Sequence, residues 1–356
     1  MANRIHELKQ NSMTFEARGL ITGTKSKNFY KSDTSKNGNA WNELNFGLTV
    51  APQKTIWLKL KGFEQKEVFY FERVKKGEKG NTKKVAWKDR KKSPGDNYRL
   101  IGVNISIDKD ADNHNINEVM VPFDAIEHLH KNLQDGESFF VKGDIVPSSF
   151  VNKDGNASHK IDLIPNQMSF TDSPINFDAE NFIPKADINI APLIFASIDK
   201  EMDENDKHTG RFILQGYSVQ YNAIEMMDFV MEAQDAAFAA KIKKKMKPGN
   251  AMTMMGNIEV VHDVAVVDEE DDWNVQRKSP LNRVNSRSHY EYVIYDTKGD
   301  FDKETYSEDS IAAAIKAIKQ SKEASQKFAD SNDNEEEVDW TKDDDTPFDV
   351  EEEWDD

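Results

Sequence analysis

The first half of the chain alternates apolar and polar residues with a period of two, which is typical of strands that bury one face. The stretches 41–50, 55–63 and 99–107 show this alternation. Turn-forming runs of Pro, Gly, Asn and Asp flank these stretches, so loops rather than crossover helices join the strands. The pattern predicts an antiparallel sheet. The apolar positions that share a face are Leu44, Phe46, Leu48 and Val50, then Ile56, Leu58 and Leu60, and then Ile101, Val103, Ile105 and Ile107.

Apolar residues at helical spacing predict three helices, at 122–133, 223–246 and 310–328. Turn residues follow the first two, which then run into strands. We expect the last helix to pack on the second half of the chain. Its apolar side is formed by Ile311, Ile315 and Ile318.

Two segments that follow predicted helices resemble one another. Residues 136–145 and 249–258 each begin with a glycine, carry a second glycine seven positions later, and continue with Asp or Asn and a closing Ile. This correspondence predicts a diverged internal repeat.

The length of 356 residues favours two domains with additional segments. The pattern places a first domain at 1–175, with an insertion at 64–121, and a second at 185–328. Residues 329–356 form an acidic tail with few apolar residues. Such a segment buries too little apolar surface to offset the entropy of ordering, so we expect it to be disordered.

The composition also bears on location. The longest weakly polar run, Ile188–Ile198, is about half of the roughly 20 residues that a membrane span needs. The N-terminus lacks the apolar core of an export signal, and the chain has no cysteine from which a disulfide could form. These features predict a cytoplasmic protein without membrane partners.

Charge is distributed unevenly around the net value of -17. Residues 1–170 hold 27 Lys and Arg against 21 Asp and Glu, whereas 171–330 hold 19 against 29. The final 26 residues hold one Lys against 14 acidic residues. A basic first half joined to an acidic tail indicates a face for a polyanion and a segment that partners recognise or that competes for that face.

The strongest candidate site is the predicted strand at 55–63. If its aliphatic residues point inward, two aromatic residues and two lysines share the opposite face. Single-stranded nucleic acid requires this mixture, because ammonium groups pair with phosphates and rings stack on unpaired bases. The alternative is that the two rings pack under a loop. The four residues are Trp57, Lys59, Lys61 and Phe63.

A second candidate is the basic stretch 73–92, which holds ten cations against two acidic residues. We expect a mobile loop that closes over bound nucleic acid, since such a density of like charge favours an anionic ligand. A solvated loop is the alternative. The candidate contacts are Arg73, Lys75, Lys76, Lys83, Lys84, Trp87, Lys88, Arg90, Lys91 and Lys92, with Tyr30 and Trp41 as extensions.

Signals of catalysis are weak. The chain contains neither a GxxxxGK[ST] phosphate loop nor an HExxH zinc motif, and its eight histidines are scattered. The acidic runs 268–272 and 343–345 look solvated rather than built to hold a metal. We therefore expect no enzymatic activity, no metal and no cofactor.

Two features together resemble a known family. The order of strands at 13–23, 41–50 and 54–63, the helix at 122–133 and the strand that follows resembles the OB-fold core of single-stranded DNA-binding proteins. The hexapeptide DDDTPF at 343–348 resembles the acidic tip DDDIPF with which the bacterial members recruit partner enzymes. Here eight residues follow the Phe, so its carboxylate is not terminal. Two domains on one chain look more like a bacteriophage single-stranded DNA-binding protein.

The resemblance implies a mainly β protein with a few helices. It would have two OB-fold-like antiparallel barrels, followed by a helix and the disordered tail. It would coat and protect single-stranded DNA in the cytoplasm, that of the host if phage-encoded, during replication, recombination or repair. The tail would recruit a helicase, polymerase or recombinase, and self-association is left open. The expected partner-binding residues are Trp340, Asp343, Asp344, Asp345, Pro347, Phe348 and Trp354.

Two other functions remain open at this stage. The acidic chain could mimic DNA, or act as an adaptor, and inhibit a host DNA-processing enzyme. A metal-dependent nuclease is the lesser alternative. A DNA mimic would not bind DNA, and a nuclease would lose activity in chelator.

Overall fold

A computed structural model describes residues 4–35, 38–75, 77–112, 114–151, 157–262 and 288–331. Within these ranges the chain is mainly β, with sixteen strands and three α-helices. The acidic run 268–272, Lys76 and the predicted partner-binding residues of the tail lie outside the described residues. No helix in the described ranges combines the length and apolar character needed to cross a membrane.

The first half contains eleven strands and one helix. The predicted strands at 41–50 and 54–63 and the helix at 122–133 are confirmed within a residue or two. The elements are β1 (Ser12–Thr22), β2 (Tyr30–Thr34), β3 (Ala40–Ala51), β4 (Lys54–Phe63), β5 (Glu67–Glu72), β6 (Thr82–Ala86), β7 (Tyr98–Leu100), β8 (Val103–Lys109), β9 (Asn115–Met120), α1 (Pro122–Asn132), β10 (Ser138–Val151) and β11 (Ala157–Phe170).

The second half contains five strands and two helices, preceded by an irregular stretch at 171–184. The elements are β12 (Lys185–Met202), β13 (His208–Val219), β14 (Ile224–Met231), α2 (Ala236–Lys245), β15 (Ala251–His262), β16 (Ser288–Asp302) and α3 (Glu308–Ser331).

Strand pairing divides the main sheet into two similar units. In the first unit β1 pairs with β3 and β10, β3 pairs with β4, and β10 pairs with β11, all antiparallel. In the second unit β12 pairs with β13 and β15, β13 with β14, and β15 with β16 in the same way. A parallel contact between β14 and β16 completes a closed circuit in the second unit. In the first unit β4 and β11 lie side by side at the corresponding place.

Four glycines account for the similarity of the repeated segments 136–145 and 249–258. Gly136 and Gly249, before β10 and β15, have φ values of 90° and 85°, which a residue with a Cβ rarely adopts. Gly143 and Gly256 each lie at a register shift, and a Cβ there would approach a carbonyl oxygen of the neighbouring strand within 2.1 Å or 2.0 Å. The predicted internal repeat is therefore confirmed, and its glycines are required by the backbone.

The two units join through their first strands. The N-terminal parts of β1 and β12 pair antiparallel, with Phe15 opposite Ile188. Both side chains are buried in one apolar core that extends through both units. The units therefore share a continuous sheet as well as a core.

The helix predicted at 223–246 is wrong in its first part. Residues 224–231 form β14, and only 236–245 are α-helical. Met227, Phe229 and Met231 are buried while Met226 and Asp228 are exposed, which is strand alternation. The three methionines and Glu225 favour a helix locally, but pairing with β13 and β16 overrides that preference. β14 is the third strand of the second unit.

The basic stretch 73–92 is not, as the sequence predicted, a loop throughout, because residues 82–86 form β6. β6, β5 and β7 form a separate antiparallel sheet of three strands. One side of this small sheet buries Val68 and Tyr70 against Val121 at the start of α1. The stretch 99–107 is likewise two strands and not one, because β7 belongs to the small sheet and β8 to the main sheet.

The last helix packs on the second unit as predicted. Ile311 joins an apolar cluster with Val219, Ala251 and Tyr306, and Leu8 of the N-terminal segment covers the same cluster. In the part of α3 up to residue 323, Ile311, Ala314 and Ile318 are the buried side chains, whereas Ile315 is 39% exposed and does not belong to the packed side.

Candidate nucleic-acid interface

The hairpin of β3 and β4 has one buried side and one solvent-facing side. Ile56, Leu58 and Leu60 are at most 2% exposed, while Trp57 and Phe63 on the opposite side are 54% and 37% exposed. The predicted facing of β4 is confirmed, and its rings are not packed under a loop. The solvent-facing cross-strand pairs, called the hairpin face below, are Gly47–Trp57, Asn45–Lys59, Glu43–Lys61 and Trp41–Phe63.

Trp57 lies over glycines. A Cβ on Gly23 would be 3.2 Å from Cζ3 of the indole, and one on Gly47 would be 3.4 Å from the same atom. The backbone N–H of Trp57 donates a hydrogen bond of 2.7 Å to the hydroxyl of Tyr290 on β16. Burial raises the pKa of Tyr290, so this hydroxyl stays protonated at neutral pH. The second unit thus supports the strand that carries Trp57.

Lys61 lies close to two aromatic rings. Its Nζ is 4.2 Å from the ring centre of Trp41 and 5.0 Å from that of Phe63. Both distances are within the range of a cation–π interaction. The hairpin face therefore presents an ammonium group beside rings that remain partly open to solvent.

Glu43 is the residue of the hairpin face that sequence reasoning missed. Its carboxylate lies 3.0 Å from Nζ of Lys59 and 4.0 Å from Nζ of Lys61, and its side chain is only 10% exposed. Burial alone would raise the pKa of Glu43. Hydrogen bonds from Asn45 and Lys59 and the positive charges of Lys59 and Lys61 outweigh burial and lower this pKa. Glu43 therefore stays ionised and orients both lysines.

Tyr30 does not lie on the hairpin face. It pairs with Leu44 across β2 and β3, and residues directly opposite each other share a side of the sheet. Its ring stacks on His130 of α1 at 4.1 Å, and its hydroxyl donates to Asn42 at 3.2 Å. The predicted contact of Tyr30 with nucleic acid is therefore not supported by its position.

Trp87 and Arg90 fasten the small sheet to α1. Arg90 donates two hydrogen bonds, of 2.9 Å and 2.8 Å, to the carboxylate of Asp124. Its guanidinium lies 4.3 Å from the ring centre of Trp87, which meets Phe123 edge-on at 5.8 Å. The bonds to Asp124 raise the pKa of Arg90. These contacts favour a structural role for both residues over the predicted contact with nucleic acid.

The remaining predicted cations are spread over the insertion. Lys83 lies on the side of the small sheet that faces α1, with Nζ 4.2 Å from the ring centre of Tyr98. Lys84 lies on the opposite, solvent-facing side. The exposed residues Arg73, Lys75, Lys88, Lys91 and Lys92 flank the strands of this sheet.

The second unit has a different surface at the equivalent place. The solvent-facing pairs of its β13–β14 hairpin are Tyr217–Met226 and Gln215–Asp228, neither of which contains a cation, and the next pair on that side, Ile213–Val230, is apolar with Val230 only 6% exposed. Gln215 donates a hydrogen bond of 2.9 Å to Asp228. Of these two equivalent hairpins, the one in the first unit alone carries exposed rings together with lysines.

The described residues offer no evident metal centre. Within the described ranges, no group of three or more His, Asp or Glu side chains is arranged to hold a metal ion. The carboxylate on the hairpin face, Glu43, is engaged by two lysines and Asn45. The arrangement on this face suits stacking and phosphate pairing.

Comparison with known proteins gives a family and several similar solved structures, including the following two. A search of curated proteins finds no match. A crystal structure of a deletion mutant of the single-stranded DNA binding protein from Thermus aquaticus is 11% identical, with a TM-score of 0.37 over 83% of this chain and 98% of that chain. The wild-type protein is 10% identical, with a TM-score of 0.37 over 82% and 94% of the two chains. The family model YorF matches residues 15–331, so the chain belongs to the YorF family.

Proposed function

We propose that this protein binds single-stranded DNA, without sequence preference, through the hairpin face of its first unit. The observation that carries the proposal is the cluster of Lys61 between Trp41 and Phe63, on the same face as the exposed Trp57. Rings stack on any base because every base has a π-face, and lysines pair with any phosphate. The function is coating and protection of single strands.

The fold supports this proposal. We infer that both units are OB folds, because the strands of each lie in the order first, second, third, fifth, fourth. Each unit also has a helix between its third and fourth strands. OB folds bind single strands across the face of their second and third strands. In the first unit those strands are β3 and β4, which carry the hairpin face.

The second unit contributes support and not a second site of the same kind. Its equivalent face has Asp228 where the first unit has lysines, and 171–330 holds more acidic than basic residues. A phosphate backbone is repelled by such a face. Tyr290 and Glu259 of this unit instead contact β4, through the N–H of Trp57 and through Nζ of Lys54.

The acidic tail extends the proposal to protein partners. Residues 331–356 hold Phe348 and Trp354 among 14 acidic side chains. We propose that this segment recruits replication or recombination enzymes and competes with DNA for the hairpin face. The support is the DDDTPF hexapeptide and the charge alone. The protein would act in the cytoplasm and catalyse no reaction.

A titration tests the binding function. The full chain would be added to fluorescently labelled oligo-dT of about 30 nucleotides, long enough to cover a site of about 4 to 16 nucleotides, at several salt concentrations with chelator present. We expect saturable binding that weakens as salt rises, and weak competition by duplex DNA. A DNA mimic would give no binding at any salt, which would contradict the proposal. Cleavage of the oligonucleotide with Mg²⁺ would instead indicate a nuclease.

A further inference from the structure

The small sheet has a solvent-facing side of its own, called the small-sheet face. Phe69 lies opposite Lys84 across β5 and β6, and Phe71 lies opposite Thr82 on β6 and Arg99 on β7. Residues directly opposite each other in antiparallel strands share a side of the sheet. Aromatic and basic residues are therefore interleaved here as they are on the hairpin face.

Packing does not account for Phe71. The apolar cluster of the small sheet is on its other side, where Val68 and Tyr70 are buried and Phe123 of α1 packs against them. Phe71 is 39% exposed. A Cβ on Gly80 would be 2.8 Å from Cζ of the Phe71 ring, so this ring lies over a glycine just as Trp57 does.

The charge of the small sheet fits an anionic ligand. Residues 67–100 hold 11 Lys and Arg against 5 Asp and Glu. On the small-sheet face, Nζ of Lys84 is 5.3 Å from the ring centre of Phe69 and 3.3 Å from the carboxylate of Glu67. A phosphate that displaces Glu67 from Lys84 would meet a cation beside a stacking ring, which is the combination that single strands require.

The small-sheet face continues from the hairpin face along the chain. Residues 64–66 join β4 to β5, and Phe69 lies six positions after Phe63. An extended chain of that length places their Cα atoms at most about 22 Å apart. At a stacked rise of about 3.4 Å per nucleotide, about six nucleotides cover this separation.

We infer that the small-sheet face is a second stacking surface for the same DNA strand, with Phe71 and Phe69 as its rings and Lys84 and Arg99 as its phosphate contacts. This inference rests on the proposed function, because the hairpin face must first hold the strand. It predicts that a short oligonucleotide occupies the hairpin face alone and a long one occupies both faces.

Oligonucleotide length separates the two faces. The full chain and its variants would be titrated with labelled oligo-dT of about 4 and about 30 nucleotides, because one OB fold covers about 4 to 16 and a strand of about 4 is too short to occupy both faces at once. Phe71→Ala should weaken binding of the long oligonucleotide at least fivefold, about the minimum for loss of one stacked base, and leave the short one unchanged. Phe71→Leu, which keeps an apolar contact with Gly80, should give the same loss. Phe150→Ala is the matched control, since Phe150 is 48% exposed on β10.

The outcomes distinguish this inference from the proposed function. If Trp57→Ala weakens binding of both lengths but the Phe71 variants bind like wild type, the small-sheet face is not a binding surface. An equal loss for both lengths in the Phe71 variants would also overturn the inference, because Phe71 would then act in the first site or in the fold. If Trp57→Ala has no effect, or the wild type binds neither length, the proposed function itself fails.

Discussion

Replacing Glu43 with Gln should strengthen DNA binding, although the change removes an ion pair. In the free protein the Glu43 carboxylate neutralises the ammonium groups of Lys59 and Lys61, at 3.0 Å and 4.0 Å. Gln keeps the size and the polar character of the side chain but carries no charge. Both lysines are then available to phosphates without competition.

The expected gain follows from the distances. A phosphate in contact with Lys61 lies about 7 Å from the Glu43 carboxylate, since a hydrogen bond of about 3 Å adds to the distance of 4.0 Å. At that separation, in the dielectric of water, two like charges repel by about 0.6 kcal/mol. The value for water applies because both lysines are more than one third exposed. If one or both lysines contact a phosphate, we expect binding to tighten about three- to ninefold at low salt.

The assay is fluorescence anisotropy of labelled oligo-dT at several salt concentrations. Each additional phosphate that the protein neutralises adds about 0.7 to the slope of log affinity against log salt for a single strand. Glu43→Gln should therefore also steepen this slope. Asp228→Asn is the matched control, because it removes one negative charge from the equivalent hairpin of the second unit. We expect that control to bind like wild type.

Equal affinity and equal slope for wild type and Glu43→Gln would refute the reasoning, because Lys59 and Lys61 would then not contact DNA. Stability gives a second check on the same carboxylate. The pKa of Glu43 is lowered in the folded protein, so its ion pairs stabilise the fold above the ordinary pKa of Glu. This contribution is lost as the pH falls through the lowered value. The difference in unfolding free energy between wild type and variant should therefore shrink as the solution is acidified.

Three further predictions concern the fold and the tail. Gly143→Ala should lower the free energy of unfolding by about 1–3 kcal/mol, because its Cβ would meet a carbonyl oxygen at 2.1 Å; Gly95→Ala, whose Cβ would meet nothing closer than 3.5 Å, is the control in thermal denaturation. Tyr290→Phe should cost about 0.5–1.5 kcal/mol of stability by removing the acceptor of the Trp57 N–H, and a variant as stable as wild type would show that water replaces the hydroxyl. Deletion of 331–356 should tighten DNA binding, most at low salt, and abolish capture of replication or recombination enzymes in pull-downs; unchanged results in both assays would make the tail a solubility segment.

The hairpin strands could be predicted from the sequence because their signal is local. Strict alternation in 54–63 fixes which residues of β4 face inward, and Trp57 and Phe63 are exposed as that alternation requires. The helix α1 is similarly marked, by Pro122 at its start and by its apolar spacing. Each of these elements is specified by residues within one turn or one strand.

The other features depend on contacts between distant segments. Glu43 lies opposite Lys61 only because of the register of the β3–β4 turn, which alternation in one strand does not give. Residues 224–231 form a strand because β13 and β16 flank them, against a composition that favours a helix. The side of the sheet on which Tyr30 lies depends on the pairing of β2 with β3, which no local pattern gives. In the insertion, the alternation of Val68 and Tyr70 with polar or less apolar neighbours indicates strand β5. This signal spans only two positions and is difficult to recognise beside the many charged residues.

The most direct test of the central claim compares two exposed side chains at equivalent hairpins. Trp57 is 54% exposed on the first unit and Met226 is 51% exposed on the second, so neither truncation should greatly lower thermal stability. In a titration with labelled oligo-dT, Trp57→Ala should bind more weakly than wild type by about 1–3 kcal/mol, or about 5- to 150-fold in Kd, because a stacking ring is lost. Met226→Ala should bind like wild type. If Trp57→Ala also binds like wild type, or if both variants weaken binding equally, the hairpin face of the first unit is not the DNA site.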